Sequence, residues 1–403
     1  MTVPSVPSSA APAPSDPADL AAGIVPSGLR FHDDGTFTVV QFNDTQDGPR
    51  TDRRTIELQC AVLDDVHPDL VVINGDVIDG RPTSALEVRQ AFNNVVLPME
   101  ERGIAWAVTF GNHDEDSAED TGLYEKDFLE FVGRYPHNVN TAGADGVTGS
   151  GNQVLTIGAS DRKASDGKTA DAGQAGATAD GTSGNDAASG ADGFAVWLLD
   201  SGRYAPDTVA GQDFEGYPSW DWIRPDQVRW YTRTSQELER RNGKVVSGLV
   251  FQHIALWEHR FMWFASVDAR SDADHERAIA KHQVIGERNE EECTGPMNGG
   301  LFAAMLERGD VRGVYVGHDH TNTYDGDYYG IRLGYAPGTG FGTYGLDGEE
   351  RNRLRGARVF HLDENVDGVL DRSELRLAAE YGIDLTAEIQ ESEPAPFPAG
   401  LLD

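Results

Sequence analysis

Leu70-Val71-Val72-Ile73-Asn74-Gly75-Asp76-Val77-Ile78-Asp79-Gly80 is the stretch on which the fold turns. Four apolar residues, three of them β-branched, read as a strand buried on both faces, as in a parallel sheet. Gly75 permits a sharp turn at the strand end, and a carboxylate follows it at once. The same arrangement recurs along the chain. The apolar run ending at Phe42 leads into Asn43-Asp44-Thr45-Gln46, and residues 104–110 lead into Gly111-Asn112-His113-Asp114-Glu115. Residues 245–252 lead through Gln252 into His253, and residues 311–316 lead into Gly317-His318-Asp319-His320. Helical spacing over residues 51–66 and 84–102 separates the first three strands, which is a βαβ rhythm. Strand C-termini share one edge of a parallel sheet and ligands bind there, so the five clusters are expected to converge.

Carboxylate and amide oxygens with imidazole nitrogens suit divalent ions such as Mn, Fe, Zn or Mg. No cysteine falls in the clusters, which excludes a thiolate zinc or iron–sulfur site from this reading. Two acids, an amide and three histidines exceed the needs of one ion and match a pair bridged by a carboxylate. Paired ions activate a water and clamp the oxygens of an in-line displacement at phosphorus.

The ordered set Asp44-x-Gln46, Gly75-Asp76, Gly111-Asn112-His113-Asp114, His253 and Gly317-His318-x-His320 resembles the calcineurin-like metallophosphoesterase superfamily. The spacing of GNHD, FQHI and GHDH, with LLDSGRY, WIRPDQVRWY and the Gly-rich segment 335–345, is most similar to its purple-acid-phosphatase-like branch. The resemblance implies a four-layer α/β/β/α sandwich, with two mixed sheets flanked by helices. It implies hydrolysis of phosphomonoesters or phosphodiesters by a water activated at two divalent metal ions. Asp76 would bridge both ions, Asp44 and His320 would hold the first, and Asn112, His253 and His318 the second. Gln46 stands where most relatives have a histidine ligand and would supply a neutral amide oxygen. His113 would be catalytic without binding metal, and Asp79 would orient it. Purple acid phosphatases proper have a tyrosine ligand where this chain has Asp79, so their violet colour is not expected. A nuclease of the same superfamily and a degenerate binding scaffold are the competing readings.

Acidic residues outnumber basic ones 67 to 33, for a formal charge of -34. Such a field repels duplex nucleic acid and anionic membranes. A small phosphate ester drawn to a cationic metal centre remains compatible. No apolar run is long enough to span a bilayer, and the N-terminus carries no recognisable signal peptide, so a cytoplasmic location is expected. Cys60 and Cys293 cannot make a disulfide framework, and Cys60 reads as a small core residue. Trp220, Trp222, Trp230 and Trp257 read as core more readily than as a substrate wall. Among histidines outside the clusters, His259 is the candidate for a role because it follows the His253 strand.

Residues 1–26 read as a Pro/Ala/Ser tail and 27–362 as the catalytic domain, with a flexible Gly/Ala/Asp-rich insertion at about 160–192. Asp33-Asp34-Gly35 reads as the turn of a hairpin between the first two strands. Asp363, Asn365, Asp367, Val369, Asp371 and Glu374, with Gly368 at the turn, match a calcium-loop pattern. The loop would bind Ca2+ and lead into a helix over residues 375–381, ahead of an acidic tail at 386–403.

Overall fold

Alternation along the strands sorts the apolar side chains into three buried clusters. Val39, Leu70 and Val72 pack with Leu249, Phe251 and Tyr315 in one. Val40, Val71 and Ile73 point into a second, and Val250, Val314 and Val316 into a third. Successive residues of a strand face opposite ways, so this sorting requires two sheets face to face, each covered on its outer side.

The computed structural model describes residues 18–19, 22–161, 163, 191–215 and 219–402. In chain order its strands are β1 (Ile24–Arg30), β2 (Thr36–Phe42), β3 (Leu70–Asn74), β4 (Ala105–Thr109), β5 (Gln153–Gly158), β6 (Asp192–Leu198), β7 (Thr208–Val209), β8 (Gln212–Asp213), β9 (Gly248–Phe251), β10 (Val311–Val316), β11 (Asp325–Tyr328), β12 (Ile331–Tyr335), β13 (Gly356–Asp363) and β14 (Leu370–Leu377). One sheet runs β14-β13-β2-β3-β4 and the other β1-β5-β6-β9-β10-β12-β11. β2, β3 and β4 are mutually parallel, as are β6, β9, β10 and β12. Helices Arg53–Val66, Ala85–Glu100 and Glu125–Val132 cover the first sheet through Leu58, Val62, Phe92, Met99 and Phe128. Helices Pro225–Asn242, Trp257–Phe264 and Leu301–Arg308 cover the second through Tyr231, Met262 and Met305. The chain is thus a four-layer α/β/β/α sandwich.

Four expectations need correction. Asp33-Asp34-Gly35 does form a turn, with Gly35 N–H donating to His32 O at 2.8 Å. It does not join a hairpin, because β1 pairs in parallel with β5 while β2 pairs with β13 and β3. The turn carries the chain from one sheet to the other, and Phe31 and Phe37 on either side of it pack in the layer between them.

The calcium-loop reading also fails on geometry. Residues 370–377 form a strand rather than the start of a helix, and Val366 and Val369 close a β13–β14 turn by their backbone bonds. Glu374 lies opposite Val359, roughly 13 Å along the strand from Leu370 at the usual rise per residue. Its carboxylate accepts from His361 Nε2 at 2.8 Å and Arg376 Nη2 at 2.9 Å. Asp363, Asn365, Asp367, Val369 and Asp371 therefore lack the distal carboxylate that would close a shell around calcium.

The segment read as an acidic tail is a strap. Arg54, fully buried, pairs with Asp52 at 2.8 Å and donates to the carbonyls of Thr386 and Glu388 at 2.6 and 2.7 Å. Arg53 N donates to Gln390 O, Ser392 N to Thr51 O, and Leu401 is buried. Acidic composition concealed this because the strap is held by its carbonyls. Arg54→Met is expected to destabilise by about 3 kcal/mol or more, since it leaves buried Asp52 unpaired; a fall in the unfolding midpoint checks it. Cys60 is half-buried rather than core. Most of the stretch read as an insertion, and residues 1–17 of the N-terminal stretch, lie outside the described residues.

Candidate metal centre

Asp44, Asp76, Asn112, His253 and His318 each fall two or three residues beyond the end of β2, β3, β4, β9 and β10. The first three strands belong to one sheet and the last two to the other, so the site straddles the sandwich edge. Asn74 Nδ2 stitches the halves together, donating to Gln252 O at 2.9 Å and Tyr315 O at 3.2 Å. Glycine is required where these loops meet. A Cβ on Gly111 would lie 2.2 Å from Asp76 Oδ1, and one on Gly75 (φ +83°) 2.5 Å from His253 Nδ1.

Several site residues hold left-handed backbone, with φ 50° at Asp44, 36° at Gln46, 49° at Asp76 and 72° at His318. Each such conformation costs about 1–3 kcal/mol and persists only where neighbours enforce it. Asp114 is the main enforcer. Its buried carboxylate accepts N–H groups of Asp76, Val77, Ile78 and Gly111 at 2.8–3.1 Å, locking the β3 and β4 loops together. Its place in GNHD was visible, but not its bracing role.

Two groups of ligand atoms result, each within 4.8 Å: Asp44, Asp76 and His320, and Asp76, His253 and His318. Asp76 belongs to both. Asp44 Oδ1 lies 3.2 Å from His320 Nε2, and Asp76 Oδ2 lies 3.1 Å from His253 Nε2. His253 Nδ1 is held by Asn74 O at 3.0 Å and His320 Nδ1 by Tyr344 O at 3.2 Å, so both Nε2 atoms are turned inward. His318 Nε2 and both amide atoms of Asn112 are buried without hydrogen-bond partners. Buried polar atoms are almost always satisfied, and a pair of cations would satisfy His318 Nε2 and Asn112 Oδ1. The donor set thus fits two divalent ions.

Three placements differ from expectation. Gln46 Nε2 donates to Asp76 Oδ2 at 2.8 Å, and its Oε1 accepts from Thr343 Oγ1, so it tethers the shared carboxylate instead of offering an oxygen ligand. Asp79 accepts from Arg81 N at 2.9 Å and Nε at 2.5 Å, not from His113. His113 Nδ1 instead meets Asp116 Oδ2 at 2.5 Å. Cys293, outside every motif, brings its sulfur within 4.8 Å of ligand atoms on His318 and Asp319. Burial pushes its thiol up to about 12. Trp220 packs its ring 4.4 Å from that of His318, and Tyr344 stacks on His320 at 4.0 Å; both are long-range contacts that no local pattern marks. Trp222 and Trp230 are buried as expected, and His259 is a core imidazole that burial lowers to about 4.

Burial alone would lower His253, yet Asp76 and Asp44 push it up to about 10, while burial takes His318 down to about 3. A cation must displace the His253 proton. Affinity is therefore expected to rise with pH below about 10, by up to about tenfold per unit. Calorimetry in buffers of different ionisation enthalpy reads the released proton; affinity flat between pH 6 and 8 would contradict this.

The calcineurin-like phosphoesterase family model matches residues 37–171. Two proteins of Arabidopsis thaliana are similar over most of the chain. "Probable inactive purple acid phosphatase 29" is 28% identical over 84% of this chain and 79% of its own, and "Probable inactive purple acid phosphatase 14" is 26% identical over 80% and 75%. A solved dimetal phosphatase from Danio rerio aligns with 85% of this chain and 99% of its own, at 12% identity and a TM-score of 0.42. The resemblance to calcineurin-like phosphoesterases of the purple-acid-phosphatase type, read from the motifs, is borne out.

Proposed function

We propose that this chain, similar to the calcineurin-like phosphoesterases, hydrolyses small phosphate esters with two divalent cations. The sharing of Asp76 by two ligand groups carries the reading. Asp44 and His320 would complete one cation position, and Asn112, His253 and His318 the other. Bound there, a pair of Mn, Fe, Zn or Mg ions would polarise the phosphoryl oxygens and make a water acidic enough to act as nucleophile near neutral pH.

The protein's own groups supply the rest. Asp76 is held ionised: burial would raise its carboxyl, but the charge and hydrogen bond of His253 keep it below the usual carboxylate range. Gln46 steadies the same carboxylate from outside the ligand set. His113 is partly exposed beside the centre, and its backbone N–H donates to Asp76 Oδ1 at 2.8 Å. It would stabilise the phosphoryl oxygens or give a proton to the leaving oxygen. No side chain needs to become covalently modified. The net charge of -34 favours a small ester over a nucleic acid.

A second reading is a binding scaffold that keeps the fold without turnover. Gln46, tethering Asp76 where a ligand is expected, favours it, as do relatives whose printed names say inactive. Release of p-nitrophenol from its phosphate monoester and diester, tested with each of the four metals, separates the two. The hydrolase reading expects turnover with at least one metal, and none with any would leave the scaffold. Asp79 also predicts a colour: the ferric-loaded protein should lack an intense visible charge-transfer band, and a violet product would mean that a tyrosinate has reached the metal.

No described helix is long and apolar enough to cross a membrane.

A further inference from the structure

His113 is neither buried nor left to rotate. Asp116 follows it within one turn, with Asp116 N–H donating to His113 O at 3.0 Å. The Asp116 carboxylate divides its oxygens. Oδ2 meets His113 Nδ1 at 2.5 Å, and Oδ1 accepts from Arg203 Nη2 at 2.7 Å. Arg203 comes from the opposite sheet, beyond the end of β6. Its guanidinium makes three separate contacts on the β4 loop: Nε donates to Asn112 O at 2.9 Å, Nη1 to Glu115 Oε2 at 3.2 Å, and Nη2 to Asp116. Tyr204 Oη adds a bond to Asp116 Oδ1 at 3.3 Å. An ordinary exposed i,i+3 ion pair would have no such backing. Here a carboxylate is fixed from behind by a planar cation, and its other oxygen is aimed at one ring nitrogen.

We propose that Asp116, braced by Arg203, is the positioning residue that fixes the His113 ring with Nδ1–H on the Asp116 carboxylate, leaving Nε2 to face the leaving group. The inference rests on the hydrolase reading and assigns His113 one of its two possible roles, that of proton donor. As the bond from phosphorus to the leaving oxygen breaks, the Nε2 proton of His113 passes to that oxygen. The attacking water places its oxygen on phosphorus and gives up a proton to solvent, from which His113 is recharged. Proton donation matters most when the leaving group is strongly basic. Positioning by Asp116 should therefore matter for an alkyl ester and hardly for an ester of an acidic phenol.

The test compares wild type, Asp116→Asn and Asp116→Glu, each with metal content verified, on glycerol phosphate and p-nitrophenyl phosphate. Asp116→Asn is expected to lose about 100-fold in kcat on the alkyl ester and less than about fivefold on the nitrophenyl ester. KM and bound metal should be unchanged, and Asp116→Glu should recover part of the loss. Equal losses on both esters, or lost metal, would overturn the proposal. A second readout does not need turnover. In zinc-loaded protein, proton NMR should show a low-field His113 Nδ1 proton that disappears in Asp116→Asn and in His113→Ala. If wild type hydrolyses neither ester, the hydrolase reading fails and the ring proton alone decides: its persistence in Asp116→Asn shows that Asp116 does not hold the ring.

Discussion

Asp76→Asn is expected to deplete both cation positions at once and to abolish turnover. Asp76 is the residue common to the two ligand groups, and its oxygens also receive His113 N–H and Gln46 Nε2. An amide there removes a charge from each position and presents N–H to His253, which lies 3.1 Å from Oδ2. Metal-ion catalysis supplies several kcal/mol, and each ~1.4 kcal/mol is tenfold, so the loss in kcat/KM should be about 1,000-fold or more. Asp44→Asn offers the contrast, because Asp44 belongs to one group only. It should retain a single equivalent of metal. Metal content by mass spectrometry reads the difference, and an Asp76→Asn protein that retained two equivalents would show that the shared carboxylate is not a bridge. The fold should survive, since Asp114 still braces the backbone N–H groups of the loop.

His113→Ala is expected to show the opposite pattern, keeping both metals and losing turnover. His113 belongs to neither ligand group, and its ring is engaged by Asp116. Removing a general acid typically costs about 100- to 10,000-fold in rate. Metal content equal to wild type, with turnover of an alkyl ester such as glycerol phosphate reduced in that range, is the expected result. Parallel loss of metal would make His113 a ligand.

The ligand-bearing strand ends were legible because strand and ligand signals coincide there. An apolar run, a turn-permitting residue and an oxygen or imidazole side chain recur at Asp76, Asn112 and His318, and parallel topology carries them to one edge. What escaped the reading depends on contacts distant in sequence. The turn at Asp33-Asp34-Gly35 is a local feature, but the pairing of Ile24 with Val154 is not, so a sheet-to-sheet crossing looked like a hairpin. Arg203 and Cys293 reach the centre from loops that carry no metal motif. The resemblance points to Asp79 as the partner of His113, but the contact is made by Asp116. The choice is made by Arg81, which occupies Asp79, and by Arg203, which orients Asp116. The strap over residues 384–392 gave no apolar signal because buried Arg54 and Asp52 bind its backbone. The calcium-loop pattern shows the reverse failure. Its residue types fit throughout, but antiparallel pairing of β13 with β14 spreads them along a hairpin.

In the proposed hydrolase, one carboxylate, Asp76, joins two cations into a centre that cleaves phosphate esters. The most direct test is titration of metal-free protein with Mn2+ while phosphate release from a chromogenic monoester is followed. Little turnover is expected at one equivalent and a plateau at two, with Asp76→Asn inactive throughout and chelator abolishing the wild-type rate. Two equivalents bound without phosphate release from monoester or diester would contradict the hydrolase reading and leave the fold as a metal-binding scaffold.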